Sequence, residues 1–341
     1  MKRETGIVAV CRAAPAGADA EDAAIMLARG RDVIRIEAAA LAQLEATLDH
    51  CFVAACQTIL DCPRQLVVTG MGKSGHIARK LAATFAATGT PATFIHPAEA
   101  AHGDLGMIAA GDVLLVLSHS GNTAELRAVL CHARTLGVPI IGVAAAAGSL
   151  VMDMADIRLF LPPLREACAA NVAPTTSTAL QLALGDAVAM AVMDRRGVRA
   201  DRLRALHPAG SIGLALTPIC DLMHGAERMP LVSAEARMPD VISRMTSGRF
   251  GLAGVTDGAG ALIGVITDGD LRRHFDGLAH ATARDVMTRA PHTMAADMLA
   301  TDALRFLNDN KITAAFVADR DSPERPIGIV HIHDLVRFGM A

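Results

Sequence analysis

No Cys-x-x-Cys pair occurs in this sequence, although it has seven cysteines, Cys11, Cys51, Cys56, Cys62, Cys131, Cys168 and Cys220. The odd count, and the absence of any cysteine from the last third of the chain, speak against a disulfide framework and suit reduced thiols in the cytosol. Also missing is any apolar run approaching the roughly eighteen residues of a membrane span, so no span is expected. Met1 to Gly17 carries Lys2 and Arg3. Its apolar stretch, Ile7 to Cys11, is closed by Arg12 and is too short for a signal segment. A cytoplasmic location is therefore expected, with residues 1–22 as a mobile, Ala-rich extension. There is no long basic stripe either. The net charge is -3 with both signs interspersed, which argues against nucleic acid as a partner.

What is present is a chain of 341 residues, long enough for two globular units that each bury a core. From Ala23 to Leu60 apolar residues recur at three and four spacings, predicting a packing and oligomerisation helix broken near Gly30. Short apolar runs follow at Leu66 to Thr69, Ala92 to His96, Val113 to Leu117, Ile140 to Val143 and Ile157 to Leu161, separated by helical stretches. Strands alternating with helices predict a doubly wound parallel α/β sheet over about Arg64 to Gly213.

Beyond Pro218 the sequence repeats itself. Asp221-Leu222-Met223 matches Asp285-Val286-Met287, and the run from Ile263 to Leu271 matches Ile327 to Leu335, both at the same offset. Arg249 to Asp257 matches Lys311 to Asp319 at an offset two residues shorter, so the intervening loops differ in length. A repeat of this kind needs its partner to bury an apolar face. The order of strand, helix and the sequence Gly264-Val-Ile-Thr-Asp-Gly-Asp-Leu271 resembles paired CBS modules of α+β structure.

Two strand-to-helix loops carry the candidate chemistry. Gly70-Met-Gly-Lys-Ser-Gly75 follows the first strand, where glycines allow close backbone approach and free N–H groups face an anion. It fits G-x-G-x-x-G but is not a Walker A loop, since Val67 stands where glycine is needed. No acidic residue ends the second strand, which weakens a dinucleotide reading. Ser118-His-Ser-Gly-Asn-Thr123 closes the third strand and offers three hydroxyls beside a helix start, a set suited to a phosphate monoester. An ordinary turn and helix cap is the alternative for either loop alone.

Together with His96-Pro-Ala-Glu-Ala-Ala-His102-Gly-Asp-Leu-Gly106, Arg165-Glu-Ala-Cys168, Ala173-Pro-Thr-Thr-Ser-Thr178 and His207-Pro-Ala-Gly210, these loops resemble the D-arabinose 5-phosphate isomerases, which join a sugar-phosphate isomerase (SIS) domain to tandem CBS domains. The resemblance runs from about Ala23 to the C-terminus. It implies a domain order of SIS over 23–216 and CBS copies over 217–278 and 279–341. The implied reaction interconverts D-ribulose 5-phosphate and D-arabinose 5-phosphate through an enediol, feeding the eight-carbon sugar acid of lipopolysaccharide. Such chemistry needs a base, a donor near two oxygens and a phosphate clamp.

By resemblance the catalytic set falls on Lys73, Glu125, Glu166 and His207. Glu166 serves as proton shuttle if burial raises its pKa towards neutrality. His207 opens the furanose ring or relays protons; Lys73 stabilises the enediolate or the phosphate; Glu125 orients Lys73 or the loop, unless these two form a structural ion pair. Substrate and phosphate contacts are expected from Gly72, Ser74, Gly89, Thr90, His96, His102, Ser118, Ser120 and Thr123. No cofactor is required, and His96 is at most an incidental or inhibitory ligand for a divalent metal such as zinc. In the CBS copies Thr267 and Asp270 fit a nucleotide-contacting pattern, whereas His331 replaces the threonine beside Asp334. Expected partners are a pentose phosphate, further copies in a homo-oligomer of tetrameric type, and a nucleotide or nucleotide-sugar effector. Ser-His-Ser-Gly-Asn-Thr, Ala209 and Asn171-Val172 depart from the family pattern and bear on substrate preference. A non-catalytic sugar-phosphate sensor and an isomerase of another phosphosugar are the competing readings.

Overall fold

A computed structural model gives the structure of the chain and describes residues 20–207, Gly213 and residues 215–337. Two compact units meet in sequence between Val198 and Arg199, ahead of the 216/217 division read from the sequence. Of the stretch expected as an extension, residues 1–19 lie outside the described residues, and Ala20 to Asp22 open the first helix.

The first unit begins with α1 (Ala20–Ala46) and α2 (His50–Leu60). The helix does not break at Gly30. A glycine in a helix interior costs about 1 kcal/mol but need not end it. The break falls at residues 47–49, where the Asp49 carboxylate accepts the Cys51 N–H and caps α2. Then come β1 (Leu66–Gly70), α3 (Gly72–Ala87), β2 (Ala92–Ile95), α4 (Pro97–Ala100), β3 (Val113–Leu117), α5 (Leu126–Thr135), β4 (Ile140–Ala144), α6 (Leu150–Met154), β5 (Ile157–Phe160) and α7 (Thr176–Arg195).

The five strands are all parallel, in the order β2-β1-β3-β4-β5. Their side chains alternate between two apolar layers. Leu66 and Val68 point into a core built with α1, α2, α3 and α7, while Val67 joins the opposite core with α5 and α6. Both faces are covered, which is why these strands read as continuous apolar runs instead of alternating ones. α5 buries Leu126, Val129, Leu130 and Ala133, a helical stripe that sequence spacing alone specifies.

The expectation that no segment is apolar enough for a membrane span needs correction. α7 is long and apolar enough by length and composition, with a mean hydropathy of 1.3 over its window. It is nevertheless a core helix of this unit. Its residues Leu180, Leu184 and Val188 are buried, it packs on α1, α2 and α3, and its Asp186 pairs with Lys80 of α3 at 2.6 Å.

The second unit opens with α8 (Ala200–Leu206), whose Arg204 pairs with Asp221. It then shows the repeat directly. In the first copy β6 (Leu231–Ser233) runs parallel to β7 (Leu252–Thr256), which pairs antiparallel with β8 (Leu262–Thr267); β8 in turn pairs antiparallel with β9 (Thr288–Arg289), from the start of the second copy. In the second, β10 (Thr293–Ala295) is parallel to β11 (Ala314–Ala318), itself antiparallel to β12 (Pro326–His331). Even the irregularities recur. Register shifts fall at Val255/Thr256 and at Val317/Ala318, and left-handed residues follow the helices Met238–Gly248 and Ala300–Asp309, at Arg249 (φ 62°) and Lys311 (φ 54°).

The leading segments are exchanged between copies. Ile219 N–H donates to Met298 at 2.8 Å and His224 pairs its backbone with Ile329 of the second copy, while Ala283 N–H donates to Ala236 of the first at 2.9 Å. A shared apolar cluster of Phe250, Leu252, Phe316 and Ile329 fills the space between. Each copy thus supplies part of the other's core, as a repeat unable to bury its face alone requires.

Candidate active site

In a sheet ordered 2-1-3-4-5 the chain reverses its direction of growth between β1 and β3, and ligands of such folds bind at the carboxyl ends of that strand pair. The two loops singled out in the sequence are the loops that leave these strands. At the first, Met71 is extended and supplies no side-chain cap, and Gly72 takes φ 57° as α3 begins. The first-turn N–H groups of this 16-residue helix are therefore open to an anion.

The second loop is braced from within. Ser118 is buried, accepts the Gly121 N–H at 3.0 Å and lies 3.2 Å from the Thr123 hydroxyl. Gly121 has φ 71°, and a Cβ there would collide with Ser149 Oγ, so only glycine fits.

A third wall comes from the segment between β5 and α7. Glu166 Oε2 accepts the Thr175 N–H at 2.8 Å, the Thr175 hydroxyl at 3.2 Å and the Ser177 N–H at 3.2 Å. The carboxylate thus sits on the N-terminus of α7, and Oε1 is left without a backbone donor. Burial pushes the Glu166 carboxyl up, but the Ser177 and Thr175 amides and hydroxyls together outweigh it, and the pKa lies below the ordinary 4.5. The expected rise towards neutrality is thereby corrected. Next to it the chain folds back on Cys168, whose sulfur accepts Val172 N–H at 3.0 Å and Ala173 N–H at 3.1 Å and is held below the usual thiol range by these amides.

Together these segments enclose a cleft of about 390 Å³, within the range of small-ligand sites. Lys73, Ser74, Ser118, Ser120, Thr123 and Glu166 line it, so the structure brings together six of the residues read from the sequence. His119, Asn171 and Ser177 line it as well and were missed. Ser177 stood in the quoted Ala-Pro-Thr-Thr-Ser-Thr run, and Asn171, at φ 55°, was noted only as a departure from the family pattern.

Other expected residues stand elsewhere. Glu125 is exposed at the start of α5, outside the lining. Gly89 and Thr90 precede β2 at the amino end of the sheet, opposite the loop cluster, because β2 enters the sheet at Ala92 beside Leu66. His96 follows β2 at the carboxyl end, with Nδ1 buried and unpartnered, while His102 is exposed. Among the described residues the one group of three close metal-ligating side chains is the set Asp49, His50 and Cys51, which includes neither His96 nor His102. His207 ends α8 in the second unit, where Nδ1 lies 2.8 Å from the Leu203 carbonyl. Pro208 to Gly210 lie outside the described residues.

In the first CBS copy Thr267 and Asp270 are engaged with each other. Asp270 is 2% exposed and accepts the Thr267 N–H at 2.8 Å, the Thr267 hydroxyl at 2.6 Å and the Thr288 hydroxyl at 3.2 Å, besides pairing with Arg273. This is a helix capping box, so both side chains help hold the start of the helix after β8. In the second copy Asp334 accepts the His331 N–H at 3.1 Å and lies 3.0 Å from His224 Nε2.

Residues 59–191 match the SIS domain family, and residues 220–277 and 283–341 match the CBS domain family. Fold and cleft therefore define a SIS domain followed by a CBS pair. The chain is 41% identical over 315 residues to the arabinose 5-phosphate isomerase KdsD of Yersinia pestis, a match covering 91% of this chain and 95% of that protein. To KdsD of Pseudomonas aeruginosa it is 42% identical over 311 residues, with 90% and 95% covered. The chain belongs to the arabinose 5-phosphate isomerase family. A solved Escherichia coli CFT073 protein in complex with arabinose 5-phosphate is 34% identical, with a TM-score of 0.53, covering 56% of this chain and 100% of that one.

A carboxylate whose pKa falls on folding contributes stability above its unfolded pKa and loses it as pH drops through the folded value. Glu166→Gln is therefore expected to lower the thermal midpoint most at neutral pH, and the difference from the parent is expected to shrink steadily below pH about 4.5. A constant difference across the acid range in calorimetry would contradict this assignment.

Proposed function

We propose that this chain interconverts D-ribulose 5-phosphate and D-arabinose 5-phosphate. The observation that carries the reading is the convergence, in one cleft, of an uncapped helix N-terminus, three hydroxyls on the neighbouring loop, a lysine and an ionised glutamate. The names of its relatives and the sugar-phosphate complex of the E. coli protein supply the sugar.

In this reading the N-terminus of α3 and the hydroxyls of Ser118, Ser120 and Thr123 take the phosphate, with Ser74 beside them. Glu166 is ionised and offers Oε1 as base. It removes a proton from C1 of the ketose and returns it to C2, while the O1 proton passes to O2, so the enediol collapses to the aldose without any redox cofactor. Lys73 places a positive charge where the enediolate oxygens carry negative charge. Glu125, at the start of α5, orients the Ser118 loop, and the product feeds the eight-carbon sugar acid of lipopolysaccharide.

A homo-oligomer accords with the exposed apolar residues of the first two helices, Ile34 at 69% and Val53 at 65%. Light scattering on the full chain is expected to return a tetramer, and a monomer at micromolar concentration would remove this part of the proposal.

Incubation with ribulose 5-phosphate in deuterated water is expected to give arabinose 5-phosphate labelled at C2. Neither turnover nor exchange would leave the sensor reading in its place. Glu166→Gln is expected to lower kcat by about a hundredfold or more, with folding retained. Prolonged chelation is expected to leave the rate unchanged, whereas a loss reversed only by added zinc would assign the metal a role.

A further inference from the structure

The N-terminal part of α1 lies along the unit with most of its surface exposed, yet one of its side chains reaches the segment that carries the base. Arg29 donates from Nη2 to the carbonyl oxygen of Ala167, the residue after Glu166. Its Nη1 donates to Asp32 at 2.7 Å, and Asp32 accepts Arg35 on its other oxygen at 3.2 Å. A cavity of about 350 Å³ lies between the two segments, lined by Arg29, Asp32, Arg165, Glu166 and Cys168.

Three of the four backbone polar groups of Glu166 and Ala167 are held. Glu166 N–H donates to Asn171 Oδ1 at 2.7 Å, Ala167 N–H donates to Thr175 Oγ1 at 2.8 Å, and the Ala167 carbonyl receives Arg29. The first two partners belong to the same excursion between β5 and α7 and move with it. Arg29 belongs to a 27-residue helix that is packed on α7. It therefore ties the excursion to the rigid body of the unit, with a charged donor that is stronger than a neutral one.

We infer that Arg29 is a positioning residue for the isomerisation, acting through the Ala167 carbonyl to fix where the Glu166 carboxylate stands over the cleft. The inference rests on the reading of Glu166 as the proton-transfer base. Arg29 does not touch the α3 N-terminus or the Ser118 loop, so substrate affinity does not depend on it. A base displaced by a fraction of an ångström slows proton transfer while leaving the phosphate clamp intact.

The test is steady-state kinetics on the full chain with Arg29→Ala, Arg29→Lys, Asp32→Asn and Glu166→Gln in parallel. Arg29→Ala is expected to lower kcat about tenfold with KM within about twofold. Arg29→Lys, which keeps one cationic donor, is expected to recover much of that loss. Asp32→Asn breaks the ion pair, leaves the Ala167 contact, and is expected to turn over at the parental rate. This last variant separates the clamp from helix stability: if Asp32→Asn loses as much kcat as Arg29→Ala, the guanidinium acts by holding α1 and the inference is overturned. Parental turnover in Arg29→Ala beside an inert Glu166→Gln overturns the clamp and leaves the base assignment standing. Full activity in Glu166→Gln removes the base assignment and the clamp with it.

Discussion

The pairing of β1 with β2 on one side and β3 on the other is the constraint from which the site follows. Leu66 stands opposite Ala92 and opposite Val113 in the two parallel registers. The sheet grows outward from β1 in both directions, so the helices that leave β1 and β3 must cross to opposite faces. α3 packs with the layer of Leu81 and Phe85, and α5 packs with that of Val129 and Leu130. Their starting loops diverge as they turn away, and the gap between them is the floor of the cleft. Gly75, whose added Cβ would meet the Gly70 carbonyl oxygen at 2.6 Å, lets α3 press close enough against its strand for this to hold.

Glu166 makes the third wall a part of the same frame. Its carboxylate receives the free N–H groups at the start of α7, and α7 is the helix on which α1, α2 and α3 all pack. A side chain proposed for proton transfer is therefore also a helix cap. The capping donors keep it ionised, which suits a base. The same donors lower its basicity, so its reactivity rests on placement more than on a raised pKa.

The sequence was informative wherever neighbours in space are neighbours in the chain. The five strands appear as apolar runs, matching the structure to within a residue at their ends, because both faces of the sheet are covered. The two anion loops were legible because each is a single turn from strand to helix. Thr267 and Asp270 were also legible as a pair, and the T-x-x-D spacing that made them so also builds a helix cap here. What was hidden depends on distant contacts. Glu166 takes its depressed pKa from partners nine and eleven residues ahead, and Arg29 reaches a carbonyl 138 residues away. Gly30 was overweighted because local propensity is weak against the packing of a long helix. Gly89 and Thr90 follow α3 closely in sequence, but the helix carries the chain back to the amino end of the sheet before they occur.

The exchange of leading segments between the CBS copies bears on how that unit comes into being. His224 finds its backbone partner at Ile329 and Ala283 finds its own at Ala236, so the earliest part of the unit to be synthesised is completed by nearly the last. A chain emerging from the ribosome can form β6 to β8 but cannot close the face of Phe250 until Phe316 and Ile329 have followed. Contacts of such long sequence separation slow folding and delay burial. The CBS pair is consequently a single block in time as well as in space, in which the first copy waits, with apolar surface open, for the second.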